Sequence, residues 1–421
     1  MIKGGIPNVK RVLCLVLTVL MALSMVSIPA LADGGVSLRV LISSGSTEQV
    51  LREVAKDLEA EGIKLEIEAY DWNTYEGKQQ LAATSKGGDY DVIFLPGNAV
   101  STFANAGAII DCSDVVAQVF PDQSDIYDSV KKFCMVDGKW YVSPYSAESM
   151  VYFYRTDLIS KDELPKTIDE MHDLGVAKTK DDVYGLAIPG GPGEAACSFG
   201  SYFLWSYGGT YFNEKWEPEL NTPEAVAGFE AFAKIEQDCA PKGVTTWQNE
   251  ETVAAFQSGS LAAMICWPGY YAMLIDPAQS KVADKVGIAT VPAGPAGARP
   301  RFGAWGLGIT ANCKDVEAAK KVLVAYTNEE NMSKRLLPVV TTASKKINSS
   351  EGAESVNPAI TASSGTLDLA DERPAIPELN LYIPAVGAAV NAIIAGQPAQ
   401  DTLNALNEEV RQIMEDGGYY D

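Results

Sequence analysis

A single histidine, His172, stands in the 421 residues, and it narrows the chemistry before any element is placed. A Ser-His-Asp relay would have to run through His172 itself, and a multi-histidine metal site is excluded. His172 follows Thr167-Ile168-Asp169-Glu170-Met171, a helix start, and reads as a solvated helix residue rather than a base. The chain carries no Gly-x-Ser-x-Gly elbow, no phosphate loop ending in Gly-Lys-Ser/Thr and no His-Glu-x-x-His pair. With 55 Asp and Glu residues, chance carboxylate pairs are inevitable, so spacing alone supports no glycosidase dyad. These residues do not make an enzyme.

What stands out is aromatic residues beside Gly, Pro and Ser in turn-like settings. They are Pro144-Tyr145-Ser146, Trp205-Ser206-Tyr207-Gly208-Gly209, Trp267-Pro268-Gly269-Tyr270-Tyr271 and Gly303-Ala304-Trp305-Gly306. A sugar presents apolar C–H faces and hydroxyl edges, so its site needs flat aromatic platforms with carboxylates and amides in the ring plane. Tyr145, Trp205, Trp267, Tyr270 and Trp305 are therefore candidate contacts, although an aromatic taken singly more often belongs to a core.

Such side chains need a scaffold. Hydrophobic residues make up 47% of the chain and charged residues 21%, which excludes disorder, and a length of 421 residues makes two lobes or domains the default. Strand and helix patterns alternate. Val36–Ile42 is β-rich, Ser46-x-x-Gln49 resembles a capping box opening a helix, and Ile63–Ala69 alternates apolar and acidic. Asp91–Leu95 reads as a short buried strand, and the rhythm predicts an α/β domain with a largely parallel sheet. Thr222-Pro223 and Asp315 predict helix starts, and Gly259 a helix stop before a strand at Leu261–Cys266. Leu403, Leu406, Val410 and Ile413 mark an amphipathic last helix. Of two Gly/Pro clusters, Pro189–Gly193 reads as a surface loop and Pro292–Pro300 as a crossing between lobes.

The formal charge is −22, which repels phosphate backbones and anionic headgroups, so neither nucleic acid nor a membrane surface is expected as partner. Lys3, Lys10 and Arg11 precede an apolar run from Val12 to Val26 and then Ala30-Leu31-Ala32. The run is shorter than the ~20 residues of a membrane span, and residues 1–32 read as a cleaved secretory signal peptide. Its removal takes three cations and no acid, leaving −25. Cys14 leaves with it, and no Leu-x-x-Cys site near the cleavage point suggests a lipid anchor. Cys112, Cys134, Cys197, Cys239, Cys266 and Cys313 remain, an even count that permits disulfides in an oxidising compartment. Cys112 with Cys134 is the expected bridge. No Cys-x-x-Cys pair argues for zinc, and no cofactor is implied.

In order, five stretches carry a family likeness. They are Asp91-Val92-Ile93-Phe94 with Phe103-Ala104-Asn105-Ala106-Gly107; Asp137-Gly138-Lys139-Trp140-Tyr141 with Pro144 through Tyr154-Arg155-Thr156-Asp157; Leu164-Pro165-Lys166-Thr167; Phe256 through Met264; and Arg373-Pro374 with Gly396-Gln397-Pro398. Over nearly all of residues 36–420 the chain resembles the periplasmic solute-binding proteins of ABC importers, of the maltose-binding-protein-like class (extracellular solute-binding protein family 1). Arg155-Thr156 departs from the family's common Asn-Lys, and Pro268-Gly269-Tyr270 from its Gly-Pro-Trp.

The resemblance implies an α/β, two-lobe periplasmic-binding-protein fold of type II-like form, with interleaved lobes and three crossing segments. Residues 33–146 and 291–344 would form lobe 1, and 147–290 and 345–421 lobe 2. It implies ligand contacts at Glu148, a cleft carboxylate after the first crossing, and at Asn98, after the Asp91–Phe94 strand. Tyr270 would take the place of a stacking tryptophan, and Tyr382 lies beside another stacking position. Ser43, Ser44 and Gly45 after the first strand, and Trp305, join them. The implied protein is a monomeric receptor without catalysis, located in the periplasm, that hands a sugar to the permease transmembrane subunits. Other solutes on the same fold are rivals: an amine exploiting the acidic excess, an anion held by Arg301 and Arg373, or ferric iron at Tyr270-Tyr271. A carbohydrate-acting enzyme is the rival from another class.

Overall fold

The computed structural model describes residues 35–420 apart from Asp368 and Ala375. The signal peptide read from residues 1–32 lies outside the described residues. No helix among them is long and apolar enough to cross a membrane.

The strands of the two main sheets are, in chain order, β1 (Val36–Ser43), β2 (Ile63–Tyr70), β3 (Val92–Pro96), β4 (Ser143–Ser149), β5 (Val151–Arg155), β6 (Ala263–Cys266), β7 (Val286–Thr290) and β8 (Phe302–Ile309). Leu38, Val40, Leu41 and Ile42 bury β1, which pairs in parallel with β2 and β3. The first sheet has the order β2-β1-β3-β8-β4, with β8 antiparallel to both neighbours. The second sheet, β6-β5-β7, is antiparallel throughout, so the expectation of largely parallel pairing fails there. Strands that return from the other lobe enter against the direction of their neighbours.

Each sheet sits in its own hydrophobic core. The first core combines β1 to β4 and β8 with the helix Val316–Thr327. The second combines β5 and β6 with the helices Glu194–Ser206, Pro223–Cys239 and Leu379–Ile394. The chain passes between them three times. Only Met150 separates β4 from β5, the stretch from Val291 to Phe302 leaves the second core for the first, and the last passage runs through helix Ala359–Leu367. That helix gives Ile360 and Leu367 to the first core and Ala362 to the second. The last boundary therefore lies later than residue 345. Ile347 and Ala353 also pack in the first core, and Asn357 Nδ2 donates to the Leu337 carbonyl at 3.0 Å.

Local signals explain most helix ends. Thr222 Oγ1 accepts from Ala225 N ahead of Pro223, Asp315 caps through Ala318 N, and Thr167 with Glu170 closes a capping box. The Ser46–Gln49 box does not form: Gly45 is the N-cap of Ser46–Glu59, and no side chain caps it. His172 is not solvated as read; its ring is held between Asp173 and Asp238 with 13% of the side chain exposed.

All six described cysteines are free, so the expected Cys112–Cys134 bridge is absent from the structure. Both thiols stand at helix ends and belong to the first core. Burial pushes the Cys134 thiol up to about 12.

Candidate functional site

The strand ends of the first sheet form a row. β1 runs into Ser43-Ser44-Gly45 and β3 into Pro96-Gly97-Asn98, both at carboxyl ends of parallel strands, where open α/β sheets present loops to ligands. Because β8 is antiparallel, its beginning reaches the same edge: Trp305 pairs with Pro96, and Gly303 with Glu148 of β4. Facing this row, the second lobe presents the turn Trp267–Tyr270 after β6 and the starts of helices Glu194–Ser206 and Asn249–Ser258. Between them lies a cavity of about 860 Å³ lined by residues of both cores, a size suited to small-molecule ligands.

Half-buried aromatic rings stand on both walls. On the first lobe Trp72 meets Trp305 edge to face at 5.7 Å, and Tyr75 backs both rings at 5.8 and 6.1 Å. The Tyr75 hydroxyl donates to the Phe94 carbonyl, which fixes this base to β3. On the second lobe Trp267 packs over Gly303, where a Cβ would come within 3.0 Å of its ring. The Arg301 guanidinium lies 5.4 Å from the Trp267 ring centroid. The Tyr270 hydroxyl donates to Glu250 Oε1 at 3.2 Å.

The polar groups divide into paired and unpaired sets. Arg301 Nη1 donates to Glu194 and to Ser198 Oγ, each at 2.9 Å, and its Nε to Glu372 at 2.9 Å. Arg373, fully buried, donates to Glu194 at 2.8 and 2.9 Å and to Glu372 at 3.2 Å. Burial alone would raise the Glu194 carboxyl, but Arg373 and Arg301 outweigh it and hold it below its ordinary value. Two arginines and two glutamates thus neutralise one another beside the last two crossings. By contrast Glu148, 8% exposed, accepts the Gly269 backbone N–H and joins no ion pair among the described residues. Burial pushes its carboxyl up to about 7. Gln79 Nε2, Asn98 Oδ1 and Asn249 Oδ1 are buried without partners, and all three residues line the cavity.

Nine of the sequence-selected residues line this cavity: Ser43, Ser44, Gly45, Asn98, Tyr145, Glu148, Trp267, Tyr270 and Trp305. Tyr145 does so from within the first core, edge to face with Phe94 and Tyr326. Trp205 and Tyr382 do not line it. Trp205 packs 6.0 Å from Tyr211 inside the second core. Tyr382 is fully buried against Tyr211 and Phe212, and its hydroxyl donates to the Pro374 carbonyl at 2.7 Å. A turn-like neighbourhood brings an aromatic near a surface; it does not say which side of the helix the ring takes.

Trp72, Glu76 and Gln79 were missed. They stand on helix Trp72–Thr84, which follows the end of β2; Trp72, two residues past the strand, is the one that a strand-end loop signal could have found. Pro189–Gly193, read as a surface loop, is largely buried, with Pro192 and Gly193 on the cavity wall. Gly193 N-caps helix Glu194–Ser206 at φ 80°, and a Cβ on Gly387 would come within 1.9 Å of its carbonyl oxygen.

Residues 44–333 match the family described as bacterial extracellular solute-binding protein. The chain is 24% identical to the mannitol-binding protein of Pseudomonas aeruginosa over 321 residues, 73% of each chain. It is 25% identical to the galactooligosaccharide-binding protein of Bacillus subtilis over 320 residues, 73% of this chain and 72% of that one. Its fold is similar to that of maltose-bound T. maritima MalE3, with a TM-score of 0.82 at 22% identity over 90% of this chain and 100% of the other.

Proposed function

The chain belongs to the bacterial extracellular solute-binding proteins, and from that membership we propose that it is the monomeric receptor of an ABC importer, capturing a mono- or oligosaccharide between its lobes for delivery to a membrane permease. The observation that carries this reading is the cavity with aromatic rings on opposite walls and unpaired amide groups between them. A sugar ring supplies what such a site lacks: C–H faces for Trp72, Trp305 and Trp267, and hydroxyls that pair with Gln79, Asn98 and Asn249. The ligands named for two of its relatives, mannitol and galactooligosaccharides, belong to the same chemistry.

The mechanism is selection of a closed form. Without sugar, closing the lobes leaves the cleft amides unsatisfied. With sugar, only the closed form makes both sets of contacts, so the ligand shifts the population by its differential affinity. The three crossings serve as the hinge, and the closed surface would dock on the permease. No step of this cycle requires covalent chemistry. Residues 1–32 would direct the chain to the periplasm before cleavage.

Calorimetric titration with D-mannitol, D-glucose, D-galactose, maltose and maltotriose tests the reading. At least one should bind at micromolar concentration or tighter, about −8 kcal/mol. Failure of every saccharide below millimolar, while an amino acid or polyamine binds, would overturn it.

A further inference from the structure

The cavity has a charge imbalance that a neutral sugar leaves unanswered. Its lining carries the carboxyl groups of Asp71, Glu76, Glu148, Glu194, Glu250 and Glu372, one cation, Arg301, and no lysine. Arg301 and the buried Arg373 are already engaged by Glu194 and Glu372. Glu76, Glu148 and Glu250 have no ion pair among the described residues. Tyr145, Cys266 and Tyr270 face Glu148, and none of the three is a cation. Two further observations mark this wall as built for a ligand. Gln79, 6% exposed, leaves its Nε2 unpaired, and Glu148 is buried with a backbone N–H as its partner. The remaining unpaired cleft atoms, Asn98 Oδ1 and Asn249 Oδ1, are acceptors. The site is richer in acceptors than in donors, and it offers indole faces that favour a neighbouring cation.

Resting on the sugar-receptor reading above, we infer that the preferred saccharide carries a basic amino group, whose ammonium is held by Glu148 and Glu76. An ammonium supplies three donors and the missing positive charge in one group. Glu76 comes from the first lobe, and its carboxyl is raised first by burial and next by the like charge of Glu194 on the second lobe, against the smaller individual pulls of Arg373 and Arg301. Both arginines are already committed to Glu194 and Glu372, so a ligand cation between the walls adds an attraction of its own and favours closure.

Calorimetry at pH 7 with two matched sets tests this. The first is D-glucosamine, N-acetyl-D-glucosamine and D-glucose; the second is the chitosan disaccharide, N,N′-diacetylchitobiose and cellobiose. The amine should bind at least tenfold tighter than both its N-acetyl and its hydroxyl counterparts in one set. That advantage should shrink toward unity in Glu148→Gln and in Glu76→Gln, the second variant serving if the first fails to fold. The inference is overturned if no amine exceeds its counterparts, or if none of the six binds while mannitol or maltose does; the receptor reading survives both results. Failure of every saccharide overturns the receptor reading itself.

Discussion

Glu148 puts a buried, uncompensated carboxyl at the hinge, and its titration has a definite sign. Its folded pKa of about 7 stands above the ordinary 4.5, so the folded state holds the proton more tightly than the unfolded chain. Stability should therefore fall as pH rises from about 4.5 to about 7, by about 3 kcal/mol for this group, and the full penalty stands above pH 7. Glu148→Gln removes the charge and keeps an acceptor for Gly269. In urea melts it should gain on the wild type between pH 5 and pH 8; a difference independent of pH would contradict the assignment. Trp205 and Tyr382 belong to a different category from the cleft aromatics. Trp205→Ala should cost about 3–5 kcal/mol of stability and leave the Kd of any bound sugar unchanged in material that remains folded. A tenfold loss of affinity would return Trp205 to the site.

At the scale of elements, close approaches decide how rigid the second wall is. Gly387 of helix Leu379–Ile394 touches the Gly193 carbonyl that opens helix Glu194–Ser206, and a methyl there has no room. Gly387→Ala should cost about 1–3 kcal/mol by overpacking, read as a lowered urea midpoint, with no loss expected for Gly77→Ala, exposed inside helix Trp72–Thr84, where a Cβ would meet nothing within 4 Å. Glu194→Ala should cost about 3–5 kcal/mol because it leaves Arg373 buried beside an incomplete set of partners, and Glu194→Gln less. Local chemistry was legible at this scale. Thr222-Pro223, Thr167 with Glu170, and Asp315 mark their helices because each cap is a contact within four residues. What could not be read needed distant partners: the antiparallel entry of β8, the allegiance of Ile347, Ala353, Ile360 and Leu367 to the first core, and the buried path of Pro189–Gly193. The candidate site divides the same way. Strand-end loops and turn aromatics announce themselves, whereas the Glu194–Arg301–Arg373–Glu372 set joins residues 107 to 179 positions apart from Glu194.

The whole molecule joins two cores through three crossings, and its cleft chemistry is complete only when both contribute. The formal charge of −22 keeps such a receptor soluble and favours neutral or cationic solutes over anions. Small-angle scattering should show a smaller radius of gyration at saturating sugar than without it; an unchanged radius despite measured binding would argue against closure. The central claim is that one sugar is gripped from both lobes. Calorimetry of the tightest saccharide on the wild type, Trp72→Ala and Trp267→Ala tests it most directly, since these rings stand on opposite walls. Each variant should weaken binding about five- to tenfold, as loss of an aromatic platform worth about 1–1.5 kcal/mol requires. An unchanged Kd in either variant would contradict the account.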